Sequence, residues 1–179
     1  MTTEFQIGLT KEELEKRTHK DYLTTKKMLT ADAKEYEALA QGDKDALKHL
    51  VKAAYILDSV YLEQDNEKNI PFLKFLNSQI EQGNEEAKLA LILFKAEKGA
   101  NAVDTESNKF SLIKDEIELK GKALYPRDLS VEEFHEKLIK MLKNDEEEEV
   151  KLILNQRTVV KRECDNLVAV DYTEVFNEE

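Results

Sequence analysis

The sequence predicts an α+β fold that is mostly α: a helical body followed by a small antiparallel β-hairpin or sheet near the C-terminus. Three observations predict it. Only five glycines and two prolines punctuate 179 residues, so long helices meet few breaks. Apolar residues recur at helical spacing through residues 43–98. Beyond residue 150 the pattern turns to alternation around a short polar turn. Helices first and strands last is the order of an α+β chain.

Thr10-Lys-Glu-Glu13 is a capping box and opens a short helix. A second helix is expected from near Thr30 to Gly42, where glycine can close it. Asp43 can cap the third, in which Leu47, Leu50, Val51, Ala54, Leu57 and Tyr61 form a broad apolar face. That breadth predicts packing on more than one side. Asn69-Ile-Pro71 starts a fourth, with Pro71 acceptable in a first turn. Its stripe is Phe72, Leu73, Leu76 and Ile80, and Gly83 ends it. Asn84 caps a fifth that is apolar nearly all round, the pattern of a central buried helix.

Residues 100–125 show no sustained period and read as a long connection. Ser130-Val-Glu-Glu133 is a second capping box, and Val131, Phe134, Leu138 and Leu142 are expected to carry that helix inward. Five acids follow, Asp145 to Glu149, read as a solvated loop. Val150, Leu152 and Leu154 then alternate with Lys151 and Ile153, a strand pattern. Residues 156–162 and 167–170 flank Glu163-Cys-Asp-Asn166 as a β-hairpin, with Asp165-Asn166 supplying turn chemistry. The expected organisation is an N-terminal helical extension over 1–42, a helical body over 43–99, an irregular connection over 100–129, and a helix plus hairpin over 130–179. Residues 43–179 read as one lobe.

Charge and composition narrow the function classes. The net charge is −11 with a pI near 4.9. No excess of cations is present to release phosphate counterions, which argues against nucleic acid and against anionic membranes. No apolar run approaches the ~20 residues of a membrane span. A single cysteine, Cys164, excludes an internal disulfide framework and suits a reducing compartment. The first residues carry no apolar signal core, and the expected location is the cytoplasm.

His135-Glu136 invites comparison with a zinc peptidase helix. Such a helix needs a second histidine one turn on, with the glutamate as base. Here Ile139 and Lys140 stand four and five residues on, so neither supplies an imidazole. His19 and His49 lie in other helices. Cys164 sits between Glu163 and Asp165, whose charge suppresses a thiolate. Asp145 to Glu149 lacks the spacing and central glycine of a calcium loop. It could still meet a basic partner protein, while Arg157, Lys161 and Arg162 form a small basic cluster on the hairpin.

Three segments resemble one family. Residues 50–64, LVKAAYILDSVYLEQ, look like the early helix of dipeptidyl-peptidase-III-like metallopeptidases, of the shorter bacterial type and the peptidase half of plant Nudix-fusion proteins. GKALYPRDLSVEEF, residues 121–134, is similar to their Gly-x-x-x-Tyr-Pro-x-Asp segment, and RTVVKRECDNLVAVDYTEVF, residues 157–176, resembles the hairpin that follows. The resemblance spans about residues 46–176. It implies a zinc exopeptidase that releases dipeptides from peptide N-termini, with its zinc on a His-Glu-x-x-x-His helix in a later lobe. No residue here matches that helix, so no zinc ligand or catalytic residue is carried over. The lobe resembled walls the substrate groove. Its implied partners are a peptide or a catalytic lobe. A hairpin edge can accept an extended peptide as an added strand. The groove candidates are Tyr125, Arg127, Arg157, Arg162 and Tyr172. Structural alternatives stand beside them: Tyr125 against Pro126, Arg127 paired with Asp128 or Glu132, Tyr172 capping the hairpin core. Two other readings remain open, an acidic helical regulatory protein and a helical-repeat adaptor.

Overall fold

The computed structural model describes residues 5–23, 30, 32–116 and 121–176. Helices hold more than half of them, and two short antiparallel sheets complete an α+β, mostly α chain. The chain divides into two compact units, Met1–Glu63 with Lys68–Glu116, and Gln64–Glu67 with Ile117–Glu179.

The first unit begins with α1, Lys11–Thr18, started by the full capping box: Thr10 N donates to Glu13 Oε2 at 2.8 Å and Glu13 N donates back to Thr10 Oγ1 at 3.3 Å. Helix α2 is only Lys34–Glu37, and Gly42 does not end it. Gly42 lies instead in the first turn of α3, Gln41–Asp65, where Asp43 serves the helix dipole rather than a cap. Helices α4, Asn69–Glu81, and α5, Glu85–Glu97, follow; Asn84 caps α5 by accepting from Ala87 N at 3.2 Å.

The core of this unit joins Leu14, Leu62, Phe72, Leu76, Ala87, Ala90, Leu93, Phe94, Leu112 and Ile113. Phe72 is its centre, with Phe5, Phe75 and Phe94 rings 5.6, 5.8 and 6.2 Å away. Fully buried Asn69 ties helices to strand: its Nδ2 donates to Leu62 O at 2.9 Å and its Oδ1 accepts from Ala100 N at 2.9 Å. The stretch read as an irregular connection contains strands β1, Asn101–Val103, and β2, Lys109–Ser111, paired with Ala102 opposite Phe110. Its next residues, Leu112 and Ile113, enter the core, and the N-terminal segment docks on them, Gly8 N donating to Leu112 O at 2.8 Å. A Cβ on Gly8 would meet Ser111 O at 2.9 Å, so only glycine permits this approach.

Two helices depart from expectation. The apolar face of α3 is not packed on several sides: Leu50 is 66% and Leu57 67% exposed, and Val51, Ala54 and Tyr61 are exposed as well. Only Leu62, one turn from its end, is buried. Helix α5 buries Ala87, Ala90, Leu93 and Phe94 but exposes Ile92, so it has an outer face.

The second unit contains a 3-10 turn, Lys122–Leu124, then α6, Val131–Lys143, α7, Glu147–Ile153, β3, Thr158–Glu163, β4, Asn166–Asp171, and α8, Tyr172–Val175. Ser130 caps α6 by accepting from Glu133 N at 3.0 Å. The face of α6 that reaches the core is Phe134, Leu138 and Met141; Val131 and Leu142 are exposed. The expected strand through Val150 and Leu154 is helix α7, because Val150 and Ile153, three residues apart, are the buried pair. The expected hairpin is present, in register Thr158↔Asp171 through Glu163↔Asn166. Its two-residue turn is Cys164-Asp165 rather than Asp165-Asn166, and of the two only Cys164 takes a positive φ, 54°.

Candidate functional site

The second unit carries all five groove candidates. Arg162, on β3, grips Glu133 of α6 with both terminal nitrogens, at 2.7 and 3.2 Å, and lies 3.1 Å from Asp128. Two parallel bonds match the planar guanidinium to a carboxylate and favour arginine over lysine. This grip holds the Glu133 carboxyl below its ordinary range, with Lys137 helping, and Glu133 in turn raises Arg162. The remaining Arg162 nitrogen, Nε, is buried without a hydrogen-bond partner among the described residues. Lys137 extends the network to the hairpin turn, donating to the Asp165 carbonyl and approaching its carboxylate at 3.1 Å. That contact lowers the Asp165 carboxyl.

Tyr125 packs edge-on against Phe134 with centroids 5.5 Å apart, both half-buried against the small core of Ile153, Val160 and Leu167. A Cβ on Gly121 would strike Tyr125 Cβ at 2.8 Å, so the glycine four residues earlier makes room for the ring. Arg127 points to the segment after α3, with Nε 3.2 Å from Glu67 and Nη2 3.5 Å from Asn66. Arg157 and Tyr172 meet at the open end of the hairpin, where Tyr172 N donates to Arg157 O at 3.1 Å. The Tyr172 ring packs edge-on against Phe176 at 5.5 Å. The five candidates therefore do not form one cluster. Five steps along the strand, ~17 Å, separate Arg157 from Arg162.

The other sequence candidates are dispersed. His135 is exposed on α6, with Ile139 exposed one turn on. Among the described residues no three His, Cys, Asp or Glu side chains converge as metal ligands would. Cys164 is exposed at the hairpin turn. The acid run is not all loop: Glu147 to Glu149 form the first turn of α7, where the helix dipole favours them. No helix among the described residues is long and apolar enough to cross a membrane.

A feature of the first unit had no signal in the sequence. A cavity of about 240 Å³ is lined by Glu13, Arg17, Tyr22, Glu97, Asp104 and Phe110, among others. Arg17 stacks 4.1 Å over the Phe110 ring and lies 3.6 Å from Asp104. Amides of Asn108 and Glu106 also reach Asp104, at 2.8 and 2.9 Å, and hold its carboxyl low. Burial pushes the Glu97 carboxyl up, with Arg17 pulling against it. These residues are drawn from α1 and the turn after it, α5 and the β1–β2 hairpin, and no local pattern links them.

A solved structure of DPP III from Caldithrix abyssi matches this fold with a TM-score of 0.66 over 78% of the chain, at 24% sequence identity. The chain spans 25% of the length of that protein's chain. The likeness establishes a DPP III-like fold. No family model matches the chain, and no curated protein does.

Proposed function

We propose that this chain is a non-catalytic, substrate-side lobe of a DPP III-like zinc exopeptidase, of the shorter bacterial or plant Nudix-fusion type. Zinc and the catalytic carboxylate belong to a separate helical lobe, met in the same polypeptide or as a partner in the cytoplasm. The observation that carries this reading is the fold match, which takes in more than three quarters of the chain but only a quarter of the DPP III chain. The hairpin supports a role in holding peptide. It is a two-stranded sheet, so each strand has an edge free of a strand partner among the described residues, and such edges accept an extended chain. Arg157 and Tyr172, at its open end, are the contacts this reading favours, since Tyr125 and Arg162 are engaged in holding the lobe together.

The test has two arms. A fluorescent pentapeptide titrated with the purified chain is expected to bind, and Arg157→Ala to weaken binding by about tenfold, as for one charge-assisted contact. With added zinc, the chain is expected to release no dipeptide from a dipeptidyl arylamide. Release by these residues, or a flat titration, would overturn the reading. A second reading, an acidic regulator of a basic protein, is favoured by the exposed Glu147 to Glu149 at the start of α7. It requires capture that moderate salt and neutralisation of residues 145–149 both abolish.

A further inference from the structure

The cavity of the first unit holds a charge that its surroundings do not match. Four carboxylates line it, Glu13, Glu97, Asp104 and Glu106, against two cations, Lys16 and Arg17. Most of these are accounted for. Glu13 closes the capping box with Thr10. Asp104 takes Arg17 at 3.6 Å together with the amides of Glu106 and Asn108. Arg17 also lies over the Phe110 ring, 4.1 Å away. Lys16 and Glu106 are exposed to water. Glu97 is the exception. It is half-buried, and among the described residues it makes no hydrogen bond and no ion pair. Arg17 attracts it only from a distance, and burial outweighs that pull. Glu97 is also the last residue of α5, where the helix dipole opposes a negative charge and favours a positive one. A carboxylate partly buried at that end of a helix destabilises the chain at neutral pH, and such groups in cavities concentrate at functional sites.

We propose that this cavity is a binding site for a small organic cation, a primary ammonium on a short apolar stem, with Glu97 as its counterion. The ammonium meets the Glu97 carboxylate near the carbonyl end of α5, so side chain and helix dipole attract it together. Leu93, Val103 and the Tyr22 ring supply the apolar part of the lining for the stem. The cavity, about 240 Å³, exceeds the ~150 Å³ that accommodates benzene, so one ring or a chain of similar size fits. An anion would face Glu97 with only Arg17, already engaged, and solvated Lys16 to offset the repulsion. A metal ion lacks ligands, since no three His, Cys, Asp or Glu side chains converge among the described residues. The inference does not rest on the peptidase-lobe reading, whose groove candidates all belong to the second unit.

Three probes of similar size separate charge from shape: benzylamine, benzyl alcohol and benzoate. In a nuclear magnetic resonance titration of the full chain, benzylamine should shift the Tyr22, Leu93 and Glu97 signals saturably. Half-saturation is expected at or below about 20 mM, the weak end for a ligand of about eight non-hydrogen atoms. Benzyl alcohol and benzoate should each bind at least about tenfold more weakly. Glu97→Gln should weaken benzylamine by at least about tenfold, with an unchanged far-ultraviolet helical signal showing that it is folded. Glu85→Gln, at the exposed start of the same helix, removes the same charge and should leave binding within about twofold. Absence of a saturable shift with benzylamine overturns the inference. So does benzyl alcohol or benzoate binding as tightly as the amine. An equal loss in Glu85→Gln and Glu97→Gln overturns it as well, since that is attraction to the net charge of −11 and not to a site.

Discussion

Glu97 and the Arg162–Glu133 pair sit in surroundings that shift their carboxyls in opposite directions, and both give pH tests. Burial raises the Glu97 carboxyl above its ordinary 4.5, so ionising it costs more in the folded chain than in the unfolded one. Stability is therefore full below the ordinary value and falls as pH rises through the raised one. Glu97→Gln removes that loss: the variant should melt higher than the parent at neutral pH and at the same temperature near pH 4, read by calorimetry. Glu133 shows the opposite sign. Arg162 holds it below 4.5, so its contribution is present above that pH and disappears as pH falls through the lowered value. Arg162→Ala should lower the melting midpoint at pH 7, and the gap from the parent should narrow below pH 4.5. Arg162→Lys should recover only part of it, because lysine cannot make the two-bonded grip. Neither environment was legible in the sequence. Arg162 and Glu133 lie 29 positions apart, and Glu97 is set by a cavity built from three distant elements.

Among the elements, α7 shows why a short apolar pattern misleads. Val150, Leu152 and Leu154 alternate as a strand would, and the pair Val150–Ile153 fits a helix equally well. Packing arbitrates: Val150 and Ile153 are 6% and 1% exposed, while Leu152 and Leu154 are 52% and 56% exposed. Ile153→Ala should cost about 2–4 kcal/mol in urea unfolding, whereas Leu154→Ala should change stability little. Equal costs would restore the strand reading. The capped helices were legible because their signals are local. Thr10, Asn84 and Ser130 each accept from an amide three residues on, and that spacing is visible in the chain itself.

At the scale of the molecule, the two units rest on unequal cores. The first is organised around Phe72, fully buried among three other phenylalanines. Phe72→Ala should cost about 3–5 kcal/mol, a large share of the stability of a domain this size. The expected result is early loss of the near-ultraviolet signal on denaturant titration; a midpoint equal to the parent's would show that this core tolerates the cavity. The second unit has a buried apolar cluster of Ile153, Val160 and Leu167, supplemented by the Arg162–Glu133–Asp128 and Lys137–Asp165 contacts. Its charges therefore contribute to holding secondary elements in place.

Sequence alone specified the α+β class, the starts of α1, α4, α5 and α6, the hairpin through residues 158–171, and the lack of a paired imidazole beside His135. Each follows from interactions within a few residues or from composition. Three-dimensional packing settled which side of α3 stays open, that α7 is helical, that residues 101–113 join a core, and that Arg162 closes on Glu133. Those outcomes depend on contacts between distant segments, and an apolar face or a charge carries no local mark of the partner it will meet.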